Sequence, residues 1–184
     1  MKLALAEKKK LLQIARYAIE FPIKNGSRYK PDIDSLSENL KKNAATFVTL
    51  LDKGELRGCI GTLLARQSLA VDVANNAYNA AFEDSRFSRV TSAELANLQI
   101  QISILSVPVK IECKTEDELL KKMEKSGLIL KEGRKQATFL PDVWEKLPQQ
   151  KDFLNQLKLK AGLSENYWSK QLEFYMYTVE KISE

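Results

Sequence analysis

Hairpin strands and helices follow one another along this chain, which predicts a fold that mixes α and β elements. Three observations predict it. Residues 46–51 and 56–64 are β-prone apolar runs joined by the turn Asp52-Lys53-Gly54-Glu55. Residues 127–131 and 135–140 repeat that arrangement around Glu132-Gly133-Arg134. Two stretches with apolar residues at helical spacing, over residues 4–20 and from Ser68 to Ala81, read as amphipathic helices. No internal repeat or low-complexity linker divides the 184 residues. One domain is therefore expected, as a single body or as two closely packed lobes.

In order, Leu11, Ile14, Ala15 and Ala18 give the first helix its apolar face, and Pro22 is expected to close it. Turn formers fill residues 24–31, and residues 35–40 hold at most a short helix before the first hairpin. Ser68 caps the next helix, whose Ala70, Ala74, Ala77 and Ala81 imply close packing against a sheet, with Asp72 in its first turn. That helix runs out at Phe82-Glu83-Asp84-Ser85-Arg86-Phe87-Ser88. Thr91 and Glu94 have capping-box spacing, and residues 98–105 alternate as a strand that ends near Pro108. Thr115 with Glu118 starts a helix through about Lys125. Pro141 opens a short helix with a buried Trp144, a further helix covers residues 150–162, and residues 172–179 form a last strand.

The most unusual stretch is Leu56-Arg57-Gly58-Cys59-Ile60-Gly61. A strand interior normally avoids glycine, so two glycines around a cysteine imply a close approach to the backbone. Strict alternation would put Arg57, Cys59 and Gly61 on one face, where a guanidinium beside a thiol favours the thiolate. Free cysteine is also a common small packing residue, so a structural reading stands beside that one. Arg57 is expected to keep its fork free for a carboxylate or phosphate; the alternative ties it to Asp84 or Glu83. Asp84 and Arg86, between Phe82 and Phe87, are either a binding loop or a bracing ion pair.

Composition narrows the chemistry. The chain has no histidine, which excludes Ser-His-Asp and Cys-His nucleophile pairs, a histidine base and His-containing zinc sites. Its two cysteines, Cys59 and Cys113, form neither a C-x-x-C pair nor a disulfide framework, which suits a reducing compartment. The net charge of +5 is spread over lysine pairs on helix faces rather than gathered in a stripe, which argues against nucleic acid. No apolar run reaches the roughly 18 residues of a membrane span, and Glu7-Lys8-Lys9-Lys10 interrupts the apolar N-terminus. The expectation is a cytoplasmic protein with no signal peptide and no membrane segment.

With these segments in place, the chain resembles the AMMECR-one family, also called AmmeMemoRadiSam system protein A. The resemblance rests on the hexapeptide 56–61, on Ala81-Phe82-Glu83-Asp84-Ser85-Arg86-Phe87, on the strand before Pro108, on Ala137-Thr138-Phe139-Leu140-Pro141-Asp142-Val143-Trp144 and on Lys160-Ala161-Gly162-Leu163. It departs at Ser85, Ser88 and Arg89, where the family has a proline-rich run. The resemblance implies an α+β fold with antiparallel sheets in two unequal, helix-flanked lobes and the hexapeptide near a cleft between them. It also implies a link to a radical S-adenosylmethionine protein and a Memo-like protein resembling extradiol dioxygenases. This chain has no C-x-x-x-C-x-x-C cluster, so no cofactor of its own is expected. Two functions follow. One is an accessory module that offers Arg57, Gly58, Cys59, Gly61, Asp84, Arg86 and Phe87 to a small molecule or a partner protein. The alternative is a thiol enzyme with Cys59 as the catalytic residue, activated by Arg57.

Overall fold

Helix α1 (Leu5–Asn25) opens the fold in the computed structural model, which describes residues 3–184. Glu7 reaches back to the Ala4 N–H at 2.8 Å, and the buried Leu11, Ile14, Ala15, Ala18 and Ile19 follow the helical repeat. Pro22 does not close the helix. It starts the last turn, so it forfeits only its own bond to the carbonyl four residues back, and the left-handed Gly26 ends the helix by donating to Pro22 O at 2.9 Å.

After α1 come α2 (Glu38–Lys41), β1 (Asn43–Ala44), β2 (Thr46–Asp52), β3 (Glu55–Gly61), β4 (Gln67–Ser68), α3 (Leu69–Phe82) and β5 (Leu98–Leu105). Next are β6 (Val109–Ile111), α4 (Glu116–Lys122), β7 (Gly127–Glu132), β8 (Lys135–Phe139), α5 (Val143–Lys146), α6 (Gln150–Lys160), β9 (Glu173–Tyr177) and β10 (Val179–Ser183). The fold is α+β, and the chain forms two compact units. One holds the chain up to Leu105 together with Glu180–Glu184; the other is Ser106–Val179.

The first unit is built on a four-stranded sheet in the order β10-β5-β2-β3, with β2 antiparallel to both its neighbours. Alternation along β2 sends Val48 and Leu50 into the core with Ile100 and Ile102 of β5, beneath α1 and α3. Each such burial contributes about 1.5–3 kcal/mol. Fully buried Asp72, in the first turn of α3, pins the helix to the sheet. It accepts from Thr46 N (2.8 Å), Thr46 Oγ1 (2.7 Å), Thr62 Oγ1 (2.9 Å), Gln67 Nε2 (2.9 Å) and Asn76 Nδ2 (2.9 Å). A carboxylate so saturated with donors is tolerated in a core without a cation.

The second unit has the antiparallel sheet β6-β9-β7-β8. Its core stacks Trp144 on Phe153 (4.0 Å between centroids) with Phe139 edge-on to Phe153, and the indole N–H donates to Ser126 O at 2.8 Å. Trp144 is buried, which makes its segment a structural one. Lys158 is buried too. Its ammonium pairs with Glu116, donates to Glu165 O at 2.8 Å and lies over the Trp168 ring.

Four strands escape the sequence reading: the two-residue β1 and β4, the short β6, and β10. Residues 172–179 were expected as one strand, but the chain leaves the second unit's sheet at Thr178 and enters β10 of the first. Thr178 and Ser106 bond each other at this crossing, Ser106 N to Thr178 O at 2.9 Å and Thr178 N to Ser106 Oγ at 3.0 Å. The three-residue β6 is too short for its alternation to register.

Candidate functional site

The hexapeptide occupies β3, an edge strand that pairs only with β2. Its register is Phe47 with Gly61, Thr49 with Cys59 and Leu50 with Gly58, but Leu51 faces Leu56. Arg57 is therefore the extra residue of a β-bulge, and the strict alternation expected for Arg57 and Cys59 breaks there.

The close approach implied by the glycines is internal. A Cβ on Gly58 would lie 2.2 Å from the Ala80 carbonyl oxygen of α3. The alanine-rich helix thus meets the strand nearly backbone to backbone. A Cβ on Gly61 would fall 2.2 Å from the ring of Phe47, its cross-strand partner. The second unit repeats that device, with Gly127 beneath the ring of its partner Tyr177. Burial pushes the Tyr177 phenol up to about 12.

Arg57 is tied through Nε, while its buried Nη1 has no hydrogen-bond partner. Its Nε donates to Glu94 Oε1 at 2.6 Å, and Glu94 Oε2 accepts from Thr91 N and Thr91 Oγ1, both at 2.8 Å. The capping-box spacing thus closes a turn that positions a carboxylate for the hexapeptide. The Arg57 guanidinium, followed by the Thr91 donors, holds the Glu94 carboxyl down to about 2. The partner is neither Asp84 nor Glu83; the Thr91–Glu94 spacing marks the turn in the sequence but not its pairing with Arg57.

Asp84 and Arg86 meet at the outer edge of the same strand. Asp84 Oδ2 accepts from Cys59 N at 2.9 Å, and Arg86 Nη2 donates to Cys59 O at 3.2 Å. The two side chains also bond each other, Nε to Oδ1 at 2.9 Å and Nη2 to Oδ2 at 2.7 Å. Together they satisfy the outward backbone groups of Cys59, as a neighbouring strand would. Asp84 is buried, and the Arg86 bonds hold its carboxyl down to about 2. Arg86 stays half-exposed and lies 5.4 Å over the half-buried Phe87 ring.

The Cys59 thiol is half-buried and contacts the Thr49 hydroxyl at 3.3 Å. The structure therefore gathers Cys59, Asp84, Arg86 and Phe87 at one edge of β3, ties Arg57 to Glu94, and packs Gly58 and Gly61 against α3 and Phe47. Thr49 and Phe47, which sequence reasoning left as ordinary strand residues, complete the face carrying the thiol. Among the described residues no group of three or more Cys, Asp or Glu is placed to hold a metal ion, and no helix is long and apolar enough to cross a membrane.

Comparison with known proteins identifies the family. The AMMECR1 family model matches residues 12–182. The chain belongs to the AMMECR1 family. A Methanosarcina mazei protein is 36% identical over 171 residues, covering 90% of this chain and 85% of that one. A Thermotoga maritima protein is 36% identical over 165 residues, covering 89% of this chain and 91% of its own. Among solved structures, uncharacterized protein PH0010 from Pyrococcus horikoshii has the same fold, with a TM-score of 0.89 at 29% identity over 98% of this chain and 93% of that one. In this chain the hexapeptide 56–61 is an edge strand with a bulge, braced by two carboxylate–arginine pairs.

Proposed function

We propose that this AMMECR1 protein is a cytoplasmic accessory module that presents the face around Cys59, Arg86 and Phe87 to a partner protein or small acidic molecule. Its place is beside a radical S-adenosylmethionine protein and a Memo-like protein. One observation carries this reading: the charged side chains of the motif are engaged with each other, Arg57 with Glu94 and Asp84 with Arg86. A thiol enzyme would need Arg57 beside the sulfur, and that guanidinium is held by Glu94 instead. Arg86 Nε and Nη2 serve Asp84 and Cys59, while the half-exposed guanidinium keeps Nη1 for an incoming carboxylate.

Co-purification with tagged Memo-like and radical S-adenosylmethionine proteins tests it, run on Cys59→Ala, Arg86→Ala and Phe87→Ala beside thermal melts. Capture should survive Cys59→Ala and weaken in the other two variants. Rapid alkylation of Cys59 well below pH 8.5, with loss of a system activity in Cys59→Ala but intact capture, would favour the thiol enzyme.

A further inference from the structure

A second surface of the first unit lies outside the hexapeptide. Tyr78 and Phe82 stand four residues apart on α3, and their rings pack 4.9 Å apart at the helix end. Each ring carries an arginine from a different loop. Arg28, just past the Gly26 cap of α1, sits 4.0 Å above the Tyr78 ring. Arg89 sits 5.5 Å above the Phe82 ring and donates to the Tyr78 hydroxyl at 3.4 Å. Both arginines are exposed. Three chain segments thus converge to hold two guanidinium groups over an aromatic pair.

We propose that this arginine–aromatic ladder docks an acidic segment of a partner protein. A guanidinium stacked on a ring loses little further freedom on binding, and its N–H edges take a carboxylate bidentately. Single-stranded nucleic acid fits less well, because bases need open ring faces and here the guanidiniums cover them. Glu83, 4.0 Å from Arg89, shows that this guanidinium accepts a carboxylate, whose place a peptide carboxylate can take. The ladder goes beyond the Cys59 face and stands without it.

Fluorescence anisotropy with a labelled peptide of glutamates and tyrosines tests the proposal, with labelled oligothymidylate as the competing probe. The peptide should bind, and salt should weaken it. Arg28→Gln with Arg89→Gln should weaken binding about tenfold or more. The double Lys variant should recover only part, since an ammonium lacks the planar fork. Glu83→Gln should tighten binding, because it removes the carboxylate that competes for Arg89 while keeping both arginines. The proposal is overturned if the wild-type protein ignores the peptide, or if Lys9→Gln with Lys10→Gln on α1 costs as much as the arginine pair. Tighter, arginine-dependent binding of oligothymidylate overturns it too.

Discussion

Gly58 and Ala80 bring a strand and a helix so close that a methyl group between them would sit 2.2 Å from the Ala80 carbonyl oxygen. Neither backbone can yield without moving β3 or α3. Gly58→Ala should therefore cost about 1–3 kcal/mol, the range for overpacking a tight core. Gly61→Ala meets a side chain instead, and the half-exposed Phe47 ring can swing aside. Urea denaturation should rank Gly58→Ala as clearly the worse, and Phe47→Leu should relieve Gly61→Ala but not Gly58→Ala. Equal losses in the two glycine variants would contradict this packing.

Arg57→Gln should destabilise the fold by about 1–3 kcal/mol, because Glu94 keeps its Thr91 donors but loses the paired guanidinium while partly buried. Arg57→Lys should fall between the two, keeping the charge and losing the geometry. Thermal unfolding checks both, and an Arg57→Gln protein that melts like the wild type would place the arginine outside the structural frame.

Acid should weaken the first unit through Asp84 and Glu94. Their carboxyls sit at about 2 in the folded chain against ordinary values of 3.8 and 4.5. The unfolded chain therefore takes up these protons first. The stability they contribute is complete above about pH 4.5, declines as pH falls, and is gone near pH 2. Denaturation midpoints measured across that window should fall with acidification, and Asp84→Asn with Glu94→Gln should flatten the decline.

In the second unit, Glu116→Ala should cost about 3–5 kcal/mol, since it leaves the buried Lys158 ammonium with only the Glu165 carbonyl and the Trp168 ring. Lys151 also pairs with Glu116 but is exposed, so Lys151→Ala should cost less than about 1 kcal/mol. Chemical denaturation of the two variants compares them directly.

Much of the first unit was legible because its signals are local. The hairpin of β2 and β3, the Ser68 cap, the alanine face of α3 and the alternation of β5 each follow from residues within one element. The Asp84–Arg86 pair could also be read as a brace, being two residues apart. What could not be read depends on distant segments. Glu94 finds Arg57 across 37 residues, and the bulge that redirects Arg57 appears only when Leu50 and Leu51 set the register. Pro22 reads as a helix stop until the neighbouring Gly26 cap shows that only the final turn is affected. The two glycines announced a close approach correctly, but only the packing identifies α3 and Phe47 as what comes near.

The crossing at Ser106 and Thr178 has a consequence for how the protein is made. Residues of the entire second unit are synthesised between β5 and β10, the two neighbours in the first unit's sheet. On the ribosome, a nascent chain that has delivered β2, β3, α1 and α3 still displays the unpaired edge of β5. That edge waits for about seventy further residues before its proper neighbour emerges, at a translation rate of about 5–20 residues per second. An open strand edge recruits other strands, so the interval is one of vulnerability to mispairing with a neighbouring nascent chain. Trigger-type holdases that shield the emerging β5 edge should raise the yield of folded protein more than those that act after release.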